Sequence, residues 1–271
     1  MSRAVSKDID GLMKCNTKMI FTYLLWRDVR VAFRTWRMFL ATTFMQPILL
    51  LLVFGLLLPS VGQVKSSYAI SFLPGLIGLT IFLAAMQAVS IPLAVEFGYT
   101  KEIEDRLLAP VNIQWIAVEK LLFGAFRGLV AGVVLLACGQ LILRHALISG
   151  KTPLWLLLAV AALDALEGAA LGLFIGSSAD PAQVGLVLSS TVTPLVFASC
   201  VYYSWTMLAH LPWLRAMTCA SPLTYANEGL RMALASQFPH MPLLYVLSGQ
   251  FVFLAALVYF GMRGFLRRAI G

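Results

Sequence analysis

"YAISFLPGLIGLTIFLAAMQAVSIPLAV", Tyr68 to Val95, runs without one charged side chain and then breaks into "EFGYTKEIEDRLLAPVN", Glu96 to Asn112. The first stretch exceeds the roughly 20 helical residues that cross a hydrocarbon core at about 1.5 Å each, so it reads as a membrane span. The second gathers Glu96, Glu102, Glu104 and Asp105 in a chain with only 12 acidic residues in all. Composition extends the reading to the whole molecule: 60% of residues are hydrophobic and 12% charged, with a mean hydropathy of +0.87. A soluble domain carries about 25% charged residues, so one large water-exposed globule is excluded. The class is an all-α integral membrane protein.

Five further apolar runs flank this one: Met38 to Leu58, Trp115 to Leu143, Pro153 to Ser177, Val184 to Tyr203 and Leu243 to Met262. Six spans are therefore expected, with a bend at Pro47 in the first. The start "MSRAVSKDIDGLMKCNTK" has no apolar signal core, so the first span is expected to remain in the mature protein.

Orientation follows from lysine and arginine. The formal charge is +8, and eight of the 20 basic residues precede Met38. With the N-terminus inside, Lys101 and Arg106 join them, as do Arg263, Arg267 and Arg268 of the tail. Lys65, Arg144, Lys151, Arg215 and Arg231 fall outside. Both termini are thus expected in the cytoplasm, and the basic balance reads as a topology signal with no nucleic acid partner.

Residues 1–37 form a cytosolic segment ending in an amphipathic helix, "MIFTYLLWRDVRVAFRTWR". Arg27, Arg30, Arg34 and Arg37 recur at helical steps, and Trp26, Val29, Phe33 and Trp36 repeat them on an offset face. The helix is expected to lie in the inner interface with its arginines toward membrane lipid.

The stretch 96–112 reads as a short helix with an acidic start, an Ile103–Leu107 apolar ridge, Leu108 beyond it and a stop at Pro110. That is the form of a docking element at the cytosolic mouth, and a plain solvated loop, whose charges only keep it out of the lipid, is the competing reading. Catalysis is disfavoured, because no histidine or metal cluster accompanies the carboxylates.

The closing "RLLAPV", Arg106 to Val111, and the later "TPLVFASCVYYSWTMLAHLPWLRAMTCASPLTYANEGLRMAL", Thr193 to Leu234, resemble the permease subunit of ABC-2 type exporters. The likeness runs from about Arg27 to Arg267. It implies two copies of the chain assembled with two cytosolic ABC ATPase subunits, in a bacterial inner membrane. ATP and Mg would be bound by those partners, with no cofactor and no catalytic site in this chain. It also implies that 96–112 is the coupling helix, that the arginine-rich helix is the interface helix beside it, and that 204–242 forms re-entrant outer helices. Pro194, Tyr202, Tyr203, Pro222, Tyr225 and Arg231 carry the pattern of that outer segment. The transmembrane domain then covers 38–262, with 263–271 as a cytosolic tail.

Three charges fall near mid-depth of spans: Arg127 in the third, and Asp164 and Glu167 three residues apart in the fourth. Counted along the helices they share a level, and an Arg127 pairing with either carboxylate is expected to offset the cost of burying charge. Phe44, Met45, Phe72, Phe82 and Met86 are candidates for a lipid-like substrate path, with helix packing the competing role for each. The glycine steps 124, 128, 132 and 168, 172, 176 predict close helix contact, within the chain or across a dimer.

The "SGKT" at Ser149 to Thr152 is not a phosphate loop, since His145 stands where the first glycine is required. His145, His210 and His240 are too scattered in sequence to form a metal site. Cys200 and Cys219 lie on the same outer side, and their spacing leaves pairing open. Two other functions remain at this stage: a proton-coupled secondary transporter using Arg127, Asp164 and Glu167, and a membrane scaffold that transports nothing.

Overall fold

The computed structural model describes residues 26–30, 34, 36–63, 65, 67–100, 113–143, 148 and 152–270. Among them every regular element is helical. The described residues of 26–34 are helical and lead into α1 (Trp36–Leu52), which contains Pro47. A π-helical stretch (Val53–Leu57) and a last turn (Leu58–Ser60) extend α1. Then come α2 (Ser67–Gly98), α3 (Ile113–Leu143), α4 (Leu154–Ser178) and α5 (Val184–Ala198). A 3₁₀ turn (Trp205–His210), α6 (Pro212–Thr218) and α7 (Pro222–Leu234) precede the long α8 (Leu243–Ile270).

Five helices are long and apolar enough to cross a membrane: Phe39–Ser60, α2, α3, α4 and α8. The expected fifth span, Val184 to Tyr203, is shorter than its hydropathy predicts. Helix α5 has 15 residues, about 22 Å of helix against a core of about 30 Å. It stops where Cys200 adopts a left-handed φ of 54°, a conformation costing a non-glycine residue about 1 kcal/mol. The freed Ser199 carbonyl accepts Asn227 Nδ2 at 2.7 Å. Six full-length spans are thus replaced, among the described residues, by five and one short apolar helix. The last span also differs, continuing past Met262 to Ile270 because "RGFLRRAI" contains no proline and its single glycine is tolerated within the helix. Arg267 and Arg268 then lie in the final turn, where cations suit the helix dipole.

Helix α2 is the core of the bundle. Nearly all of Ser71 to Ala94 is buried, with α3 and α4 packed along it and α7 against its first half. Hydropathy does not explain why α2 rather than α8 is central, but glycine does. Gly168, Gly172 and Gly176 press α4 onto the backbone of Phe82, Met86 and Ser90 in α2. Gly124, Gly128 and Gly132 lay α3 against Val89, Ala85 and Ile81. Lipid offers no hydrophobic drive for helices to pair, so close backbone approach over small residues carries much of the packing. Both glycine ladders are therefore intrachain contacts. Helix α8 covers the remaining side of α4, while α1 and α5 lie at the periphery.

The bundle has two ends. The proximal end carries Gly98, Ile113, Ser178 and the α8 C-terminus; the distal end carries Ser60, Ser67, Leu143 and the 199–242 segment.

Candidate functional site

At the proximal end, Lys120 of α3 donates to Glu96 Oε1 of α2 at 2.8 Å and to Asp28 Oδ2 of the N-terminal helix at 3.0 Å. The lysine side chain is 4% exposed and each carboxylate 11%. Arg27 flanks Asp28 at 3.1 Å. Ions this sheltered are expensive unless paired, and two carboxylates on one ammonium form a compact clamp. The clamp ties the arginine-rich helix to the two helices that bracket 101–112. Glu102, Ile103, Glu104, Asp105, Arg106, Leu107, Leu108 and Pro110 lie outside the described residues, as does Phe33. Sequence reading missed Lys120 and Asp28. The signal was present: Glu119–Lys120 is a charged pair inside an apolar run, and such a pair demands partners.

Arg268 completes this end. Its Nη1 donates to the Ala179 carbonyl at 2.8 Å and the Ser177 carbonyl at 3.2 Å, occupying acceptors at the end of α4. Its guanidinium lies 5.0 Å from the Phe97 ring, and Phe97 meets Phe265 edge-on at 5.7 Å. The ends of α2, α4 and α8 are thereby joined.

The distal end is organised by Arg231, fully buried in α7. It pairs with Glu228 one turn earlier, and donates to the Ser71 carbonyl at 3.2 Å and the Cys200 carbonyl at 3.0 Å. Glu228 in turn accepts the backbone N–H of Trp205 and of Met241, each at 2.9 Å. One ion pair thus binds α2, the α5 terminus, the 3₁₀ turn and the approach to α8. Around it, Tyr68 donates to the Tyr202 carbonyl at 2.8 Å, while the Tyr202 ring sits 5.8 Å from Phe72. Tyr203 donates to the Phe197 carbonyl and Tyr225 to the Cys219 carbonyl. Pro222 opens α7, and Pro194 lies within α5. Cys200 and Cys219 are both free thiols.

The expected pairing of Arg127 with the α4 carboxylates is not formed. Arg127 stacks over Phe39 at 4.2 Å and lies 6.0 Å from Phe123. The cause is the glycine ladder: Gly124 and Gly128 occupy the α3 face against α2, which turns Arg127, about 100° round, toward α1. Asp164 and Glu167 are fully buried, with no hydrogen-bond partner for their oxygens among the described residues. In the same helix, the Val160 carbonyl accepts Gln250 Nε2 of α8, and Ala170 meets Gly261 of α8.

Of the candidate path residues, Phe44, Phe72, Phe82 and Met86 are packed into the core. Only Met45 is open, 69% exposed on a groove of about 570 Å³ along α1 with Gln46, Leu49 and Val53. Helix α5 also presents an open flank, where the hydroxyls of Ser189, Ser190, Thr191 and Thr193 donate to their own helix's carbonyls. Such a flank stays compatible with an apolar neighbour.

Comparison with known proteins agrees with this architecture. A family model described as ABC-2 type transporter matches residues 20–235. The chain is 27% identical over 209 residues to the inner membrane transport permease YadH of Escherichia coli strain K12, covering 76% of this chain and 78% of the relative. The YadH permease of Shigella flexneri matches with the same identity and coverage.

Proposed function

The chain belongs to the ABC-2 type transporter family, and on that premise we propose that it is the permease subunit of an ATP-driven exporter in a bacterial inner membrane. Two copies assemble with two ATPase subunits, which bind ATP and Mg. The proximal end faces the cytoplasm, in keeping with the lysine and arginine bias, so both termini are cytosolic. Segment 96–112 is the coupling element, α5 is a short fifth span of six, and 204–242 is a re-entrant outer cap.

The observation that carries the reading is the Asp28–Lys120–Glu96 clamp. It makes the arginine-rich helix and the two roots of the coupling segment one mechanical unit, so a push on 101–112 is delivered to α2, the most buried helix. Helices α1, α5 and α8 each leave an apolar flank uncovered within the chain, which supports a second copy against this lateral surface. The substrate is hydrophobic, lipid-linked or a glycan, and the apolar groove on α1 supports the first two of these.

The test is co-purification of the tagged chain from its native membrane, with ATPase assays of the complex and of an Ile103→Asp, Leu107→Asp double variant. A bound ATPase that is lost or uncoupled in the variant is expected. Absence of any ATPase in several mild detergents would overturn the proposal.

A proton-coupled mechanism is the second reading, favoured by one feature: Asp164 and Glu167 have no counter-charge within hydrogen-bond reach among the described residues. The position of Arg127 removes the relay first expected. Transport that persists when the proton gradient is collapsed at constant ATP would dismiss it.

A further inference from the structure

Arg127 poses a problem that the exporter reading leaves unsolved. Among the described residues it has no carboxylate partner and no hydrogen bond, only the rings of Phe39 and Phe123. A guanidinium carries five N–H donors, and stacking satisfies none of them. It opens onto a half-open cavity of about 130 Å³ lined by Val29 of the N-terminal helix, Trp36 and Phe39 of α1 and Phe123, Phe126 and Val130 of α3. The pocket is otherwise apolar and strongly aromatic.

Its depth follows from the clamp. Lys120 meets Asp28 of the interfacial helix, and Arg127 stands seven residues further along α3, about 10 Å. That is within the reach of an arginine extending to the lipid headgroup layer. Arg30, Arg34 and Arg37 stand on the adjoining helical stretch and likewise have no carboxylate partner among the described residues. The cavity therefore combines an apolar lining, an unused guanidinium and a basic surround.

We propose that this cavity binds one anionic phospholipid of the inner leaflet, its phosphate on Arg127 and the upper part of an acyl chain among Phe123, Phe126 and Val130. A phosphate oxygen pair matches the guanidinium fork and meets the donors that the chain leaves unused. A zwitterionic lipid supplies the same phosphate but brings a cation into a region already rich in arginine. The site therefore selects net negative charge. The lipid wedges between α1 and α3 beside the clamp, where it stabilises the joint between the interfacial helix and the bundle. This inference rests on the proximal end lying at the inner leaflet.

The test uses the full chain, with whatever subunits accompany it, in phosphatidylcholine nanodiscs containing a small fraction of phosphatidylglycerol. Retained lipid is counted by native mass spectrometry after delipidation. The wild type is expected to retain phosphatidylglycerol in preference to phosphatidylcholine. Arg127→Gln should lower that retention about tenfold, with Arg127→Lys between the two. Val130→Phe, which keeps the charge but fills the cavity, should lower retention too, and it serves if Arg127→Gln does not fold. Equal retention of the two lipids by the wild type would overturn the proposal, as would wild-type retention by folded Arg127→Gln and Val130→Phe. Neither result depends on ATPase binding, so failure here is distinguishable from failure of the exporter reading.

Discussion

Lys120 Nζ lies 2.8 Å from Glu96 Oε1, so a residue two turns into α3 holds a residue in the last turn of α2 across the root of segment 101–112. The same ammonium holds Asp28 at 3.0 Å. Removing the lysine takes the shared cation from two sheltered carboxylates and breaks the ionic link from the N-terminal helix to α2 and α3. Lys120→Met is expected to cost about 3 kcal/mol and to lower transport per ATP hydrolysed more than it lowers ATP hydrolysis. Parallel transport and phosphate-release assays on reconstituted vesicles check this, and an unchanged coupling ratio would dismiss the clamp as a transmission element.

Arg231 and Glu228 should behave as a unit. Arg231→Met alone leaves a fully buried carboxylate without its cation and is expected to cost about 3 to 5 kcal/mol, which would show as lost folded yield. The Arg231→Met, Glu228→Gln double variant should recover part of that yield, as measured by monodisperse protein after size exclusion. A double variant no better than the single would mean that the hydrogen bonds to Trp205 and Met241 matter more than the ion pair.

Gly172 faces the backbone of Met86 across the α2–α4 contact, where any β-carbon collides with a carbonyl. Gly172→Val is expected to destabilise the bundle by about 1 to 3 kcal/mol or more. Gly185 in α5 has nothing within 4 Å of its added β-carbon, and Gly185→Ala should be neutral or slightly stabilising, since alanine favours helix by about 1 kcal/mol. Thermal unfolding of the two variants side by side separates helix contact from helix propensity.

Arg127 stacks on Phe39 and forms no ion pair with Asp164, so the two should not be coupled. A double-mutant cycle built from Arg127→Gln and Asp164→Asn is expected to give an interaction energy below about 0.5 kcal/mol. A coupling several times larger would restore the pairing that their common level in the bilayer first suggested.

Much of this molecule was legible along the chain. Membrane class, the positions of the long helices, the helical character of the arginine-rich stretch and the family likeness all follow from composition, run length and local pattern. Those properties depend on transfer of side chains into lipid and on helical geometry, and both act residue by residue. The glycine ladders were also readable, although only the fold shows that both face α2 within one chain.

Partner choice belonged to the tertiary structure. Counting residues along two helices places charges at a level but leaves their azimuth open, and the glycine contact on α3 decided that Arg127 turns toward Phe39 and away from Asp164. The same holds for α5: hydropathy ran on to Tyr203, while a left-handed Cys200 and the hydrogen bond from Asn227 ended the helix at Ala198. Lys120 was hidden for the same reason, since its carboxylates come from residues 24 and 92 positions away. Local sequence determined which segments enter the membrane; only the packed bundle decided which buried charges meet, because that depends on how each helix is rotated about its own axis.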